Sequence, residues 1–401
     1  MTTANAPATL RRADERPLGS PAILLMVVLA LVTIGVLVVY SASRTVEPAG
    51  INRVFRRHLE LLVPALGLLA LGSAVPYRWL NRWYVAAGGL ALAVALLVLV
   101  LYLGEERNHV RRWFTAVVAG VPFSFQPSEF AKLALVVFLA WLFSRRDVEM
   151  GRFWPGFVVA MGSVALVCGL VALEDFGTAV LIGAVGALVC LIAGCCVWHF
   201  VALVPVAAGG FWFAVWRVPW RLERLMAFVN PWQHQGGAGW HVCQSLMAIG
   251  SGGLLGVGLG GGIQKFYLPE RTTDFIFAVL CEEMGILGGI LVLGLYGVFV
   301  WRGGRVVRDA PDRFGFLLAS GILLVVGLQA ATNIGVVTGA LPAKGIGLPF
   351  ISYGGSGLAM MSLAAGLLVS VARSAARPAR RRADPLVFRS TSGRAVTGAQ
   401  P

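Results

Sequence analysis

The sequence predicts an all-α, polytopic integral membrane protein with about ten transmembrane helices. Composition is the first observation: of 401 residues, 58% are hydrophobic and only 13% charged, with a mean hydropathy of +0.79. A soluble domain sits nearer 45–50% apolar and about 25% charged. The second is distribution, since the apolar residues gather in runs of about 20, the length a helix needs to cross a bilayer. The third is the set of short, arginine-bearing connections between those runs, which suits a chain re-crossing a membrane.

In chain order, residues 1–21 form a polar cytoplasmic tail carrying Arg11, Arg12 and Arg16. The run from Ala22 to Tyr40 is too long for a signal-peptide core and lacks a small-residue cleavage site, so it reads as a retained first span. Spans are expected at 22–41, 58–75, 84–103, 128–143, 154–173, 178–196, 198–216, 275–300, 314–338 and 354–372, making 22–372 one transmembrane domain. With the N-terminus inside, more arginines fall on inner segments than on outer loops, as the positive-inside rule requires. The long connections 104–127, 217–273 and 339–353 then all face outward, which marks the outer face as the working face. Within 217–273, RLERLMAFVNPW has the pattern of a short amphipathic helix lying in the headgroup plane. The glycine-rich stretch after it suits either close backbone approach and movement or a re-entrant packing element. Residues 373–401, rich in Arg, Ala and Ser with Pro378 and Pro385, read as a disordered basic cytoplasmic tail.

The formal net charge is +14, and all of the 33 basic residues except Lys132, Lys265 and Lys344 are arginine. Because this charge sits in loops between spans, nucleic acid is not expected as a partner; anionic headgroups or a phosphate-bearing substrate fit better. Six cysteines form no CxxC pair and mostly lie in or beside apolar runs, so they read as small core fillers.

Chemistry concentrates in four stretches. In Gln264–Gly285, a polar loop with Lys265, Glu270 and Arg271 runs through Asp274 directly into a span, with Glu282 and Glu283 roughly 12–14 Å deeper. Ionisable groups at such depths are costly and point to function, although an aspartate at this place also suits a helix cap. In Phe125–Leu133, Pro127 suits a helix start, and Glu129 and Lys132 share a face as an ion pair or as site residues. Arg111 and Arg112 upstream offer guanidiniums for phosphate oxygens. Glu174 and Asp175 occupy a very short outer hairpin, where polar residues are needed for structure alone. In Leu341–Gly357, prolines and glycines break helicity at membrane depth, where irregular backbone is tolerated only if buried in protein or lining a cavity. Together these predict one outward cavity with Asp274 as general base and Arg111, Arg112, Lys132, Lys265 and Arg271 as phosphate partners.

QPSEFAKL, WHVCQSLMAIGSGG through YLPERTTDFIFAVLCEEMG, and LPAKGIGLPFISYGGSG together resemble the SEDS family of peptidoglycan glycosyltransferases, the FtsW, RodA and SpoVE group. The Pro342-Ala343-Lys344-Gly345 run is most like the FtsW branch. The resemblance implies polymerisation of lipid II into glycan strands at the outer face of the bacterial cytoplasmic membrane, at the division septum, with release of undecaprenyl diphosphate and inversion. It implies Asp274 as catalytic base, with Trp113, Gln126, Glu129, Lys132, Asp175 and Ser352 at family site positions. It also implies a class B penicillin-binding protein transpeptidase of the FtsI kind and other divisome proteins as partners. A divalent cation, Mg or Mn, would share the load on the leaving diphosphate, though no spacing here marks a metal site. Three departures stand out: Thr272 replaces the family's histidine, Leu173–Gly177 replaces Gln-Pro-Asp-Leu-Gly, and the stretch from Trp113 to Gln126 is longer. A RodA-like elongation polymerase, a lipid flippase without chemistry, and a scaffold for other wall enzymes remain as other readings.

Overall fold

A computed structural model describes residues 20–43, 51–107, 110–118, 121–145, 156–216 and 219–376. The two expected cytoplasmic tails lie almost wholly outside these residues, as do Arg146, Arg152 and Arg217. All ten expected spans are helices: α1 Ser20–Ala42, α2 Ile51–Ala74, α3 Trp83–Leu103, α4 Pro127–Ser144, α5 Val158–Glu174, α6 Phe176–Ile192, α7 Val197–Trp216, α10 Ile276–Arg308, α11 Arg313–Val337 and α12 Gly355–Ala376. Two more, α8 Pro219–Val229 and α9 Trp240–Gly252, lie in the long connection. Among the described residues, six helices are long and apolar enough to cross a membrane, and α5, α6 and the first part of α7 are apolar but shorter.

Burial separates centre from periphery. In α4 and α12, 78% of the apolar window is buried, against 28% in α3. The centre is therefore built by α4 and α12 with α11 and the first half of α10, and α3 turns most of its surface outward. Glycine lets α2 and α12 approach closely, since a Cβ added to Gly366 would lie 2.4 Å from the Leu69 carbonyl oxygen. Local signals fix the helix starts. Pro127 opens α4 from an extended Gln126, and Asp175 and Asp312 cap α6 and α11 by accepting from the backbone N–H of Thr178 and Gly315.

The connection expected as a loop at 104–127 instead holds three antiparallel strands in order β1-β2-β3: β1 Glu105–Arg107, β2 Val110–Val118 and β3 Val121–Phe125. Its register runs from Phe114 opposite Phe125 to Val118 opposite Val121. Branched and aromatic residues on both sides of Gly120 are the hairpin signal in this stretch.

α10 is broken at Gly285, whose φ of 67° and ψ of −170° lie outside any helix. The glycine-rich stretch after α9 enters this break. Val257 and Gly258 donate their N–H groups to the carbonyls of Glu282 and Glu283, and Ile286 and Leu287 donate to Gly253 and Leu254. Backbone groups that the break would strand in apolar surroundings are thereby paired. Of the two roles open to this stretch, the structure gives it packing.

Candidate active site

Asp274 stands one residue ahead of the α10 N-cap, Phe275, and neither residue's side chain caps the helix. The capping role that the sequence allowed is thus not the one taken. Three side chains or backbone groups hold the strand of chain that carries Asp274. Asn333 Nδ2 donates to the Asp274 carbonyl at 2.7 Å, Ser352 Oγ to the Thr273 carbonyl at 2.6 Å, and Tyr353 N–H to the Thr272 carbonyl at 2.8 Å. Ser352 Oγ also accepts from Leu348 N–H, and Asn333 Nδ2 donates again to Ile346. The segment 341–353 therefore wraps the half-buried aspartate and is tied to it. A Cβ added at Gly345 would sit 3.1 Å from Asp274 Oδ2. Burial pushes the Asp274 carboxyl up to about 7, helped by the Glu270 and Asp175 carboxylates and opposed by Arg112 and Arg224.

Asp175 faces the same space. Its Oδ1 accepts from Thr178 N–H, and its Oδ2 accepts from Thr178 Oγ1 and, at 3.4 Å, from Arg112 Nη1. Arg111 is less available than the sequence suggested: its N–H donates to Glu174, and its guanidinium pairs with Glu106 at 3.2 Å. The sheet is in this way stitched to the α5–α6 hairpin. A narrow cleft follows, with Leu97, Val100 and Leu170 on its apolar wall and Arg112, Gln126 and Asp175 among its polar residues. Gln126 reaches α12 through its backbone N–H, which donates to Ser356 Oγ; Trp113 lies on β2 opposite Glu105.

Three predicted phosphate partners are used elsewhere. Lys132 is buried and donates to Glu129 at 2.8 Å and to Gln329 Oε1 at 2.6 Å; Gln329 in turn donates to the Gly347 carbonyl. Lys132 thus sits beneath the 341–353 segment and props it. Lys265 is fully buried and donates to Glu283, Ser41 Oγ and the Gly260 carbonyl. Arg271 donates to the carbonyls of Ala42 and Lys265. Both pin the loop before α10 to α1. For the two lysines the physical reason is that a buried cation must be satisfied by its own protein before any ligand arrives; the half-buried Arg271 is held by two backbone carbonyls. Glu283 is likewise spent on this anchor, and Glu282 accepts from the N–H groups of Ile263 and Gln264.

The sequence pattern assigns no site role to Asn333, Gln329, Arg224 or Glu270. Gln329 and Asn333 had a signal, being two amides four apart on one face of an otherwise apolar span. Arg224 had none, since only the placement of α8 brings it near Asp274 and Asp175. Among the described residues no group of three or more His, Cys, Asp or Glu gathers to hold a metal ion.

A family profile described as cell cycle protein, that of FtsW, RodA and SpoVE, matches residues 21–377. The chain belongs to this family. Stage V sporulation protein E of Bacillus subtilis (strain 168) is 40% identical over 361 residues, covering 88% of this chain and 97% of that relative. Probable peptidoglycan glycosyltransferase FtsW of Coxiella burnetii is 40% identical over 355 residues, covering 86% and 94%. Among solved structures, one chain of a peptidoglycan synthase complex that coordinates polymerization and crosslinking superposes with a TM-score of 0.73 at 29% identity, covering 88% of this chain and 98% of that one. The rod shape determining protein RodA of Thermus thermophilus gives 0.64 at 29% identity, covering 88% and 97%. The likeness spans the whole transmembrane bundle, so the SEDS protein described here is an all-α, multi-pass membrane protein.

Proposed function

We propose that this SEDS protein is a peptidoglycan glycosyltransferase that polymerises lipid II at the outer face of the cytoplasmic membrane, in septal wall synthesis. The observation that carries the reading is a single carboxylate, Asp274, held by its backbone at the mouth of the bundle and poised near neutrality beside Arg112 and Arg224. Asp274 takes the proton from the acceptor sugar's hydroxyl as its oxygen attacks the donor's anomeric carbon. The bond from that carbon to the diphosphate breaks on the opposite side, and its electron pair leaves with the diphosphate. The apolar-walled cleft beside Arg112 and Gln126 suits a substrate whose phosphate is carried on a lipid. The relatives named probable peptidoglycan glycosyltransferase FtsW support the activity, and the family's description as cell cycle protein supports a role in division. The likeness to a complex that couples polymerization to crosslinking supports a class B penicillin-binding protein as partner.

The test is polymerisation of lipid II by the purified full chain, alone and with that transpeptidase, using wild type and Asp274→Asn. Asparagine keeps the shape and removes the basic oxygen, so polymer formation should fall by about 10²–10⁴-fold while folding survives. Near wild-type rates in Asp274→Asn would reject the base. Depletion in cells should give filaments or chains with unfinished septa, whereas swollen, rounded cells that still septate would move the protein to elongation.

A further inference from the structure

Lys344 differs from every other lysine in this chain. Lys132 and Lys265 are buried and ion-paired, whereas among the described residues no carboxylate lies within ion-pair distance of the half-buried Lys344 ammonium. Its stem crosses the start of α6, where a Cβ added to Gly177 would lie 3.1 Å from Lys344 Cδ and 3.2 Å from its Cβ. The neighbouring residue, Gly345, abuts Asp274 Oδ2. The side chain thus runs from beside the base to the start of α6, close enough to Asp175 to feel its charge.

This arrangement is costly in the resting state. Burial disfavours the Lys344 ammonium, and Asp175 only partly offsets that. Asp175 already has its oxygens on Thr178 and Arg112. The α6 N-terminus is already capped by the Asp175 carboxylate, which accepts from Thr178 N–H, so that carboxylate is shared between the helix end, Arg112 and the ammonium. The under-compensated ammonium beside the base gains from an anion brought to it.

We propose that the Lys344 ammonium binds the diphosphate of the lipid-linked donor and holds its charge as it leaves. The inference rests on the glycosyl-transfer reading above and names the cation of its leaving-group site. In that step the anomeric carbon–oxygen bond breaks and its electron pair goes to the diphosphate oxygen. Lys344 donates hydrogen bonds to the diphosphate, while the acceptor's proton goes to Asp274. No further reactant is needed.

The test uses the full-length protein with its transpeptidase partner in lipid nanodiscs, comparing wild type with Lys344→Met, Lys344→Gln and Lys344→Arg. Two quantities are read: lipid II turnover, and direct binding of undecaprenyl diphosphate against undecaprenyl phosphate. Methionine keeps the apolar stem on Gly177 and removes the charge. Turnover should fall by about 10²-fold, the usual scale for losing one preorganised donor to a developing anion. Binding of the diphosphate should weaken by at least about tenfold, with that of the monophosphate less affected, and arginine should restore most of both. Unchanged turnover and diphosphate binding in Lys344→Met would overturn the proposal. So would a shift in the pH–rate profile alone, which would make Lys344 a partner of Asp274. Failure of both neutral variants to fold would make it structural and equally overturn the idea. If wild type does not polymerise lipid II, the glycosyl-transfer reading fails, and the binding comparison still decides whether Lys344 holds a diphosphate.

Discussion

The Asn333 side-chain amide lies 2.7 Å from the Asp274 carbonyl oxygen and 2.7 Å from that of Ile346, so one nitrogen joins the loop that carries the base to the segment that covers it. Asn333 is almost fully buried and sits one turn of α11 beyond Gln329, which holds the Gly347 carbonyl and Lys132. The base is thereby set by a span 59 residues further along the chain.

Replacing Asn333 with Leu removes both bonds and leaves two carbonyls without their donor. Each orphaned group costs about 1–3 kcal/mol, and a small displacement of a catalytic group costs about 10²-fold in rate. Expected outcomes are a lowered unfolding temperature and a strongly reduced lipid II turnover with little change in KM. A variant with wild-type kcat would show that Asp274 keeps its place without Asn333.

Turnover should also depend on pH through Asp274. A base works ionised, so the rate should climb as pH rises through about 7 and level off above it. The sign for stability is opposite. The folded-state value lies above the ordinary carboxylate range, so the folded protein holds the extra proton, and stability declines as pH rises from that range to about 7. After burial, Glu270 is the largest cause that raises Asp274. Glu270→Gln should therefore move the acid limb of the profile to lower pH, and an unmoved limb would remove Asp274 from the rate-limiting ionisation.

Lys265 and Glu283 form a pair with essentially no exposure, 2.8 Å apart. Breaking it on one side leaves a buried charge uncompensated, at a cost of about 3–5 kcal/mol, whereas replacing both with apolar residues of similar volume is often close to neutral. Lys265→Met should lower the unfolding temperature sharply, and Lys265→Met with Glu283→Leu should recover much of it. Were Lys265 a phosphate ligand instead, the double variant would stay inactive after regaining its stability.

Gly285→Ala tests the helix break. The backbone there has positive φ, and a Cβ would meet the Leu254 carbonyl oxygen at 2.3 Å and the Gly256 nitrogen at 2.5 Å. Neither atom is a flexible side-chain end, so the inserted segment must move. Strain at such a position is of order 1–3 kcal/mol before the clash is counted. Loss of folded protein in detergent is expected, and a fully stable Gly285→Ala would mean that α10 straightens without penalty.

Orientation is checked by labelling. Single cysteines at Gln235 and Ala383, in a background without the native thiols, should react oppositely with an impermeant reagent. Gln235 should label from outside and Ala383 only after the membrane is opened; the reverse pattern would put Asp274 on the wrong face for lipid II polymerisation.

Much of this protein was legible without a fold. The ten spans, the Pro127 helix start and the amphipathic α8 all follow from local properties: apolar run length, a fixed proline φ and residue periodicity. The hairpin of β2 and β3 has its own local signal, branched and aromatic residues around Gly120, but the much longer apolar spans on either side dominate the pattern and leave it looking like a connection. What only tertiary structure decided is which charges are spent. Lys132, Lys265, Arg271 and Lys344 look alike as cations near polar motifs. The first three are consumed by Glu129, by Glu283 and by the carbonyls of Ala42 and Lys265, while Lys344 lies across α6 between Asp274 and Asp175. Burial and pairing arise between segments far apart in the chain, and no local pattern encodes how a charge is compensated at that distance.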